Sequence, residues 1–134
     1  MTRSFSRIFA LPFLAAAIAL AAPTAAQAQG FKSAKSGKTQ WIDAYYGWNN
    51  DCSFKTINVN VVQKPQHGTV SPKVEMQRIT RAQIGSVGNC AGKPTKAVAV
   101  YYRSKPGYRG IDRFRIQMSV GGQSKYFNYT VRVN

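Results

Sequence analysis

The stretch RFRIQMSVGGQSKYFNYTVRV, residues 113–133, decides the fold class. Its first half alternates apolar and polar residues, with the apolar set running from Phe114 to Val120. Its second half alternates as well, and Gly121-Gly122 joins the two halves. A period of two is typical of half-buried strands, and two glycines between such runs are typical of a tight hairpin. The stretch therefore predicts an antiparallel hairpin whose last strand points four residues inward: Phe127, Tyr129, Val131 and Val133.

Upstream segments have the same character. Residues 54–62 alternate Ile and Val with Thr and Asn, and residues 97–103 (AVAVYYR) form a second apolar, β-branched run. Residues 73–84 fit either a short helix or a strand followed by a loop, and we favour strand and loop. A turn is expected at the Asn- and Asp-containing residues 48–51, and Gly- and Pro-containing turns or loops are expected at 65–68, 85–96 and 104–110. Short strands at close spacing, without a long helical pattern, predict an all-β sandwich or barrel.

The N-terminus has the pattern of an export signal. Arg3 and Arg7 precede an apolar run over residues 8–22, and Ala26-Gln27-Ala28 ends the segment with small residues at the cleavage positions. A membrane anchor is the competing interpretation, but the apolar run is shorter than the roughly 20 residues that a spanning helix needs. Residues 1–28 are therefore predicted to be a signal peptide, with no transmembrane segment after cleavage and a periplasmic or secreted location.

The exported part begins with a polar, lysine-rich segment. Residues 29–40 (QGFKSAKSGKTQ) show no periodicity and predict a flexible basic arm. The folded domain is expected over residues 41–134, which is a length that suits one domain.

Cys52 and Cys90 are the only cysteines of the chain. Two cysteines in an exported domain predict one disulfide. A zinc site is the alternative, but two thiols and a single histidine do not supply the usual four ligands. We therefore expect no metal.

Basic residues far outnumber acidic ones, with 19 Lys and Arg against four Asp and Glu. Such an excess favours anionic partners. Outside the cytoplasm these are an anionic envelope polymer, a glycan, a lipid head group or another envelope protein. Nucleic acid fits the charge but not the expected location. The alternative is a basic surface that keeps the chain dissolved without a specific partner.

Two segments resemble a known family. PQHGTV (65–70) and KPGYRGIDRF (105–114), the latter after Tyr101-Tyr102, are similar to the "P-x-H-G-T-V" and "Y-x-P-x-x-G-[FY]-x-G-x-D-x-F" segments of bacterial Ig-like, cadherin-like modules. The resemblance covers about residues 57–134. The chain departs from the pattern in the wider spacing from Tyr102 to Pro106 and in the long insert over residues 71–96.

The resemblance implies an Ig-like β-sandwich that serves as a structural or binding module, and it transfers no functional residue. Four residues of these segments are interpreted as scaffold. Gly68 and Gly110 suit turns that need positive φ or close approach, Asp112 suits acceptance of backbone N–H bonds, and Tyr108 suits an anchor for its loop.

Catalytic constellations are not apparent in the sequence. His67 is the only histidine and lies in a turn, the four acids are scattered, and no nucleophile or phosphate-binding motif occurs. We therefore expect neither enzymatic activity nor a cofactor.

The alternation predicts a basic, aromatic sheet face. If the strands over 97–103, 113–120 and 125–133 are neighbours, their outward residues combine arginine with tyrosine, which suits charge-assisted bonds and stacking. Two loop cations extend the set, so the predicted binding residues are Tyr101, Arg103, Lys105, Arg109, Arg113, Arg115, Tyr126 and Arg132. The alternative is a solvated face whose charges merely protect sheet edges.

These inferences predict an exported, non-catalytic Ig-like binding module that contacts an anionic envelope component or protein partner. A structural envelope protein without a specific ligand and a small secreted enzyme inhibitor, which would present the 104–110 loop, are the alternatives.

Overall fold

The computed structural model describes residues 31–86 and 88–134, which form strands in two sheets. The strands are β1 (Phe31–Ala34), β2 (Thr39–Tyr45), β3 (Asn58–Gln63), β4 (Gly68–Arg78), β5 (Pro94–Ser104), β6 (Gly110–Val120) and β7 (Gln123–Val133). No helix within these ranges is long and apolar enough to cross a membrane. The predicted signal peptide lies outside the described residues.

The first sheet has the strand order β1-β7-β6-β3. The predicted hairpin forms its centre, with β6 and β7 paired from Gly110↔Val133 to Val120↔Gln123. Gly121 and Gly122 have φ values of 53° and 78°. Positive φ at both central residues matches the right-handed twist of the strands, which is why glycines occupy this turn.

Strand β1 corrects the prediction of a flexible arm. Residues 31–34 pair in parallel with Thr130–Val133, and β2 begins at Thr39, so the arm prediction is wrong for residues 31–40. The segment FKSA is too short to show a periodicity, but pairing with β7 gives its backbone hydrogen-bond partners and buries Ala34.

The second sheet has the strand order β2-β5-β4. Strand β4 continues through Ser71-Pro72 to Arg78, since an edge strand has one side on which the missing N–H of proline costs nothing. The interpretation of residues 73–84 as strand and loop is confirmed. The loop predicted over 85–96 ends earlier than expected, because Pro94 already pairs with Arg78.

The main core lies between the two sheets, and the predicted inward residues of both hairpin strands contribute to it. Tyr102, Phe114 and Tyr129 stack in a row, with ring centroids 6.1 Å and 5.1 Å apart. This arrangement confirms the sandwich that the alternating segments predict.

A second cluster covers part of the outer side of β5. Ala97 and Ala99 point away from the main core, and Trp48, Ile79 and Cys90 pack over them. The predicted Cys52–Cys90 disulfide is present and ties the β2–β3 connection to the β4–β5 connection, with Cα atoms 5.6 Å apart. The two connections and the disulfide therefore hold a small core of their own.

Candidate functional site

The outer face of the first sheet brings together part of the predicted binding set. Strand β6 points Arg113 and Arg115 outward, while Phe114 and Ile116 enter the core. Strand β7 points Tyr126 and Arg132 outward in the same way. Because β6 and β7 are hydrogen-bonded neighbours, these four side chains share one face, which we call the arginine face.

Aromatic rings support two of the arginines. The Arg115 guanidinium carbon lies 4.4 Å from the centroid of the Tyr126 ring, and that of Arg132 lies 5.5 Å from the Phe31 ring. Gln117 donates a hydrogen bond of 3.4 Å to the Tyr126 hydroxyl. A guanidinium held against a ring loses less rotational freedom on binding a ligand, and its N–H edge stays available for bidentate contacts.

No carboxylate neutralises the arginine face. The four acids of the chain are all described, and none is placed there. Asp112 is buried between the sheets, and Asp43 forms a salt bridge with Arg81. Asp51 lies in the β2–β3 connection and Glu75 on the second sheet. The three arginines therefore present uncompensated positive charge.

Two predicted binding residues lie elsewhere. Tyr101 and Arg103 do point away from the core, but β5 is the centre of the second sheet and not a neighbour of β6. The Tyr101 hydroxyl donates to Glu75 at 2.9 Å, and Arg103 donates to the Gly37 carbonyl at 3.0 Å. The prediction of one continuous face is therefore wrong for these two, because strand parity does not reveal which strands pair.

The two loop cations lie at one end of the sandwich. Lys105 and Arg109 belong to the β5–β6 connection, and Lys105 donates a hydrogen bond of 3.3 Å to the Gln66 carbonyl. This connection leads into β6 at Gly110, so the two cations lie at the edge of the arginine face and are not part of it.

The scaffold residues have the contacts that their types indicate. Asp112 accepts bonds of 3.0 Å from the backbone N–H groups of Gln66 and His67. Tyr108 stacks on the His67 ring with centroids 4.1 Å apart and donates to the Ile111 carbonyl. Gly68 approaches the Arg103 carbonyl so closely that a Cβ would lie 2.6 Å from it. The turn that contains His67 is therefore held in place by contacts with Asp112 and Tyr108.

A row of hydrogen-bonded polar groups, not predicted from the sequence, lies between the two sheets. A bulge at Ile42 shifts the β2 register, so that Asp43 pairs with inward-facing Val100 and points into the sandwich. Its carboxylate accepts a bond of 2.8 Å from the Tyr129 hydroxyl and lies 2.7 Å from Arg81. The Tyr45 and Tyr129 hydroxyls are 2.5 Å apart.

Burial is the main cause that raises the pKa of both tyrosines well above its ordinary value. The two hydroxyls therefore stay protonated above the pH at which an ordinary tyrosine ionises. Because Tyr129 donates to Asp43, its oxygen is left to accept the Tyr45 proton. The bulge, and contacts between residues more than 80 positions apart, leave no local pattern in the sequence. These polar contacts could therefore not be predicted from the sequence.

Neither the described residues nor comparison with known proteins assigns a metal site or a family. Among the described residues, no group of three or more His, Cys, Asp or Glu side chains could hold a metal ion. The chain matches no known protein family in a scan of family descriptions, and no curated protein matches it significantly.

Proposed function

We propose that the chain is an exported, non-catalytic Ig-like binding module whose arginine face contacts an anionic envelope polymer or an acidic partner. The observation that carries the proposal is the pair of arginine–aromatic stacks on a rigid sheet without a neighbouring carboxylate. Three arginines on adjacent strands, two of them held against rings, suit a repeating anion better than a single small one.

The strand order supports the Ig-like assignment. Strands β2-β5-β4 face β7-β6-β3, and this is the order B-E-D opposite G-F-C in Ig domains. Strand β1 extends the second set by parallel pairing with the last strand. The disulfide supports export, because such bonds persist in oxidising compartments.

The experiment compares two charge reversals of equal size. Polygalacturonate is the probe, and its affinity for the oxidised chain is measured from low to physiological salt. Arg113→Glu with Arg115→Glu should weaken binding by at least about tenfold, since charge-assisted contacts are lost and replaced by repulsion. Lys73→Glu with Arg103→Glu, on the second sheet, changes the net charge equally and should leave the affinity within about twofold.

Equal losses in both double variants would contradict the proposal. Binding would then follow net charge alone, as expected of a basic structural protein, and it would vanish as salt screens the surface. Unchanged binding in the Arg113/Arg115 variant would exclude the arginine face. Anionic lipid vesicles, tested in parallel, distinguish a polymer from a membrane surface.

A further inference from the structure

A cavity of about 370 Å³ opens between the two sheets, away from the arginine face. Strand β1 pairs only with Thr130–Val133. Within the described ranges, no strand pairs with β7 before that point on the side away from β6. The cavity lies at this gap, between the inner side of β7, strand β2 and the loop over residues 81–84. Its size is in the range of small-molecule sites.

One wall of the cavity is apolar. Phe127 and Ile84 are half-buried and pack against the main core, and both line the cavity. The Tyr45 ring also lines the cavity and packs against Phe127, with ring centroids 5.0 Å apart. The wall can therefore cover the apolar body of a ligand without rearrangement of the core.

The polar wall carries more positive than negative charge. Lys32, Arg81 and Lys125 line the cavity, and Asp43 is the one acid beside them. Both Asp43 oxygens already accept bonds, one from Arg81 and the other from the Tyr129 hydroxyl. The carboxylate therefore neutralises one cation, and the two lysines remain uncompensated.

Aromatic rings are the close neighbours of both lysines. The Lys32 ammonium lies 5.7 Å from the Trp41 ring centroid, and the Lys125 ammonium lies 5.5 Å from that of Phe127. A ring face attracts an ammonium but accepts no conventional hydrogen bond. Both ammonium groups keep N–H donors for an anion, whereas the Tyr129 proton is held by Asp43.

We propose that this cavity binds a small organic carboxylate with a compact apolar body. The carboxylate takes the N–H donors of one of the two lysines, because the pairing of Lys32 with Val131 places it several residues along β7 from Lys125. The body lies against Phe127 and Ile84. An inorganic anion would leave the apolar wall wet, and a neutral ligand would leave the two ammonium groups without a counter-charge. This site is independent of the arginine face and of the polymer proposed to bind there.

Benzoate and benzamide are the matched probes, since they share the ring and differ in charge. Titration of the oxidised chain, followed by the NMR signals of the Phe127 ring, should saturate with benzoate at a Kd in the millimolar range or below. Benzamide should bind at least about tenfold more weakly, because it cannot pair with the ammonium groups. Sulfate should not displace benzoate at equal concentration.

Two lysine pairs provide the variants. Lys32→Gln with Lys125→Gln should weaken benzoate binding by about tenfold or more, whereas Lys93→Gln with Lys96→Gln removes the same charge elsewhere and should not. The urea midpoint of each variant verifies that it is folded. Arg113→Glu with Arg115→Glu should leave benzoate binding intact, which separates this test from that of the arginine face.

Three results would overturn the proposal. The first is that benzoate binding does not saturate up to about 50 mM, because a specific site of this size should bind benzoate more tightly than that. The second is equal binding of benzoate and benzamide. The third is an equal loss in the two lysine variants, which would indicate a general effect of surface charge.

Discussion

Asp112 is the residue that fixes the end of the sandwich where β5 leads into β6. One of its oxygens accepts the backbone N–H groups of Gln66 and Arg113, and the other accepts that of His67 and the Tyr102 hydroxyl. The side chain is 3% exposed, so these four donors replace water. The turn that carries His67 is therefore held by a carboxylate that is distant from it in sequence.

Asp112→Asn tests this role. An amide offers one acceptor oxygen and turns an NH₂ group towards donors that previously met an oxygen, so the free energy of unfolding should fall by about 2–4 kcal/mol. Tyr102→Phe removes one of the four bonds and should cost about 1 kcal/mol. Urea unfolding at neutral pH would measure both changes in the free energy of unfolding. A loss below about 0.5 kcal/mol for Asp112→Asn would contradict the role.

The β6–β7 hairpin is the element that builds the arginine face. Its register places Arg115 opposite Asn128 and Gln117 opposite Tyr126, and its turn uses two residues with positive φ. A Cβ at Gly121 would lie 3.9 Å from the Lys55 side chain, which is ordinary van der Waals contact. Only the backbone conformation therefore restricts the residue at this position.

Two substitutions at Gly121 should differ in their effect on stability. Gly121→Asn suits a left-handed turn residue and restricts the unfolded chain, so it should leave the stability unchanged or raise it by up to about 1 kcal/mol. Gly121→Val forces a β-branched residue into the same conformation and should cost about 1–2 kcal/mol. Thermal unfolding of the two variants measures the difference, and equal melting temperatures would refute the turn assignment.

Sequence reasoning succeeded where contacts are local. The hairpin joins neighbours along the chain, so alternation placed Arg113, Arg115, Tyr126 and Arg132 on one face. It failed for Arg103, because the pairing of β5 with β2 and β4 is decided by distant segments. It failed for residues 31–34 as well, since a four-residue strand with a lysine shows no pattern until its partner is known. The disulfide was predictable because two cysteines allow one intramolecular pair.

The whole molecule depends on tyrosines that stay protonated between the sheets. Burial is the first cause that raises the pKa of Tyr45, Tyr102 and Tyr129, and bonds to carboxylates or to each other add to it for the latter two. The ordinary tyrosine pKa is about 10. In the unfolded chain these groups lose their protons above that value, whereas in the folded chain they retain them.

Stability should therefore be fully present below about pH 10 and fall as the pH rises further. Each tyrosine that is protonated only in the folded state lowers the free energy of unfolding by about 1.4 kcal/mol per pH unit. Urea unfolding at several pH values from 8 to about 11.5 measures the slope, and Tyr45→Phe should reduce it by one tyrosine's share. A stability that does not change across this interval would contradict the burial of the three hydroxyls.

Charge is distributed unevenly over the molecule as a whole. One sheet face carries arginines on aromatic rings without an acid, whereas Asp43, Asp51 and Glu75 lie on the second sheet or its connections. A specific anion-binding module needs such a localised field, while a general basic coat does not. We therefore expect an anion to bind the arginine face and not the second sheet.

Backbone amide chemical shifts of the isotope-labelled, oxidised chain, recorded during titration with polygalacturonate, test this claim most directly. We expect the largest changes over residues 113–117 and 126–132, with the amides of residues 73–75 and 95–97 unmoved at physiological salt. Changes spread evenly over lysines on both sheets, or confined to the second sheet, would contradict the account.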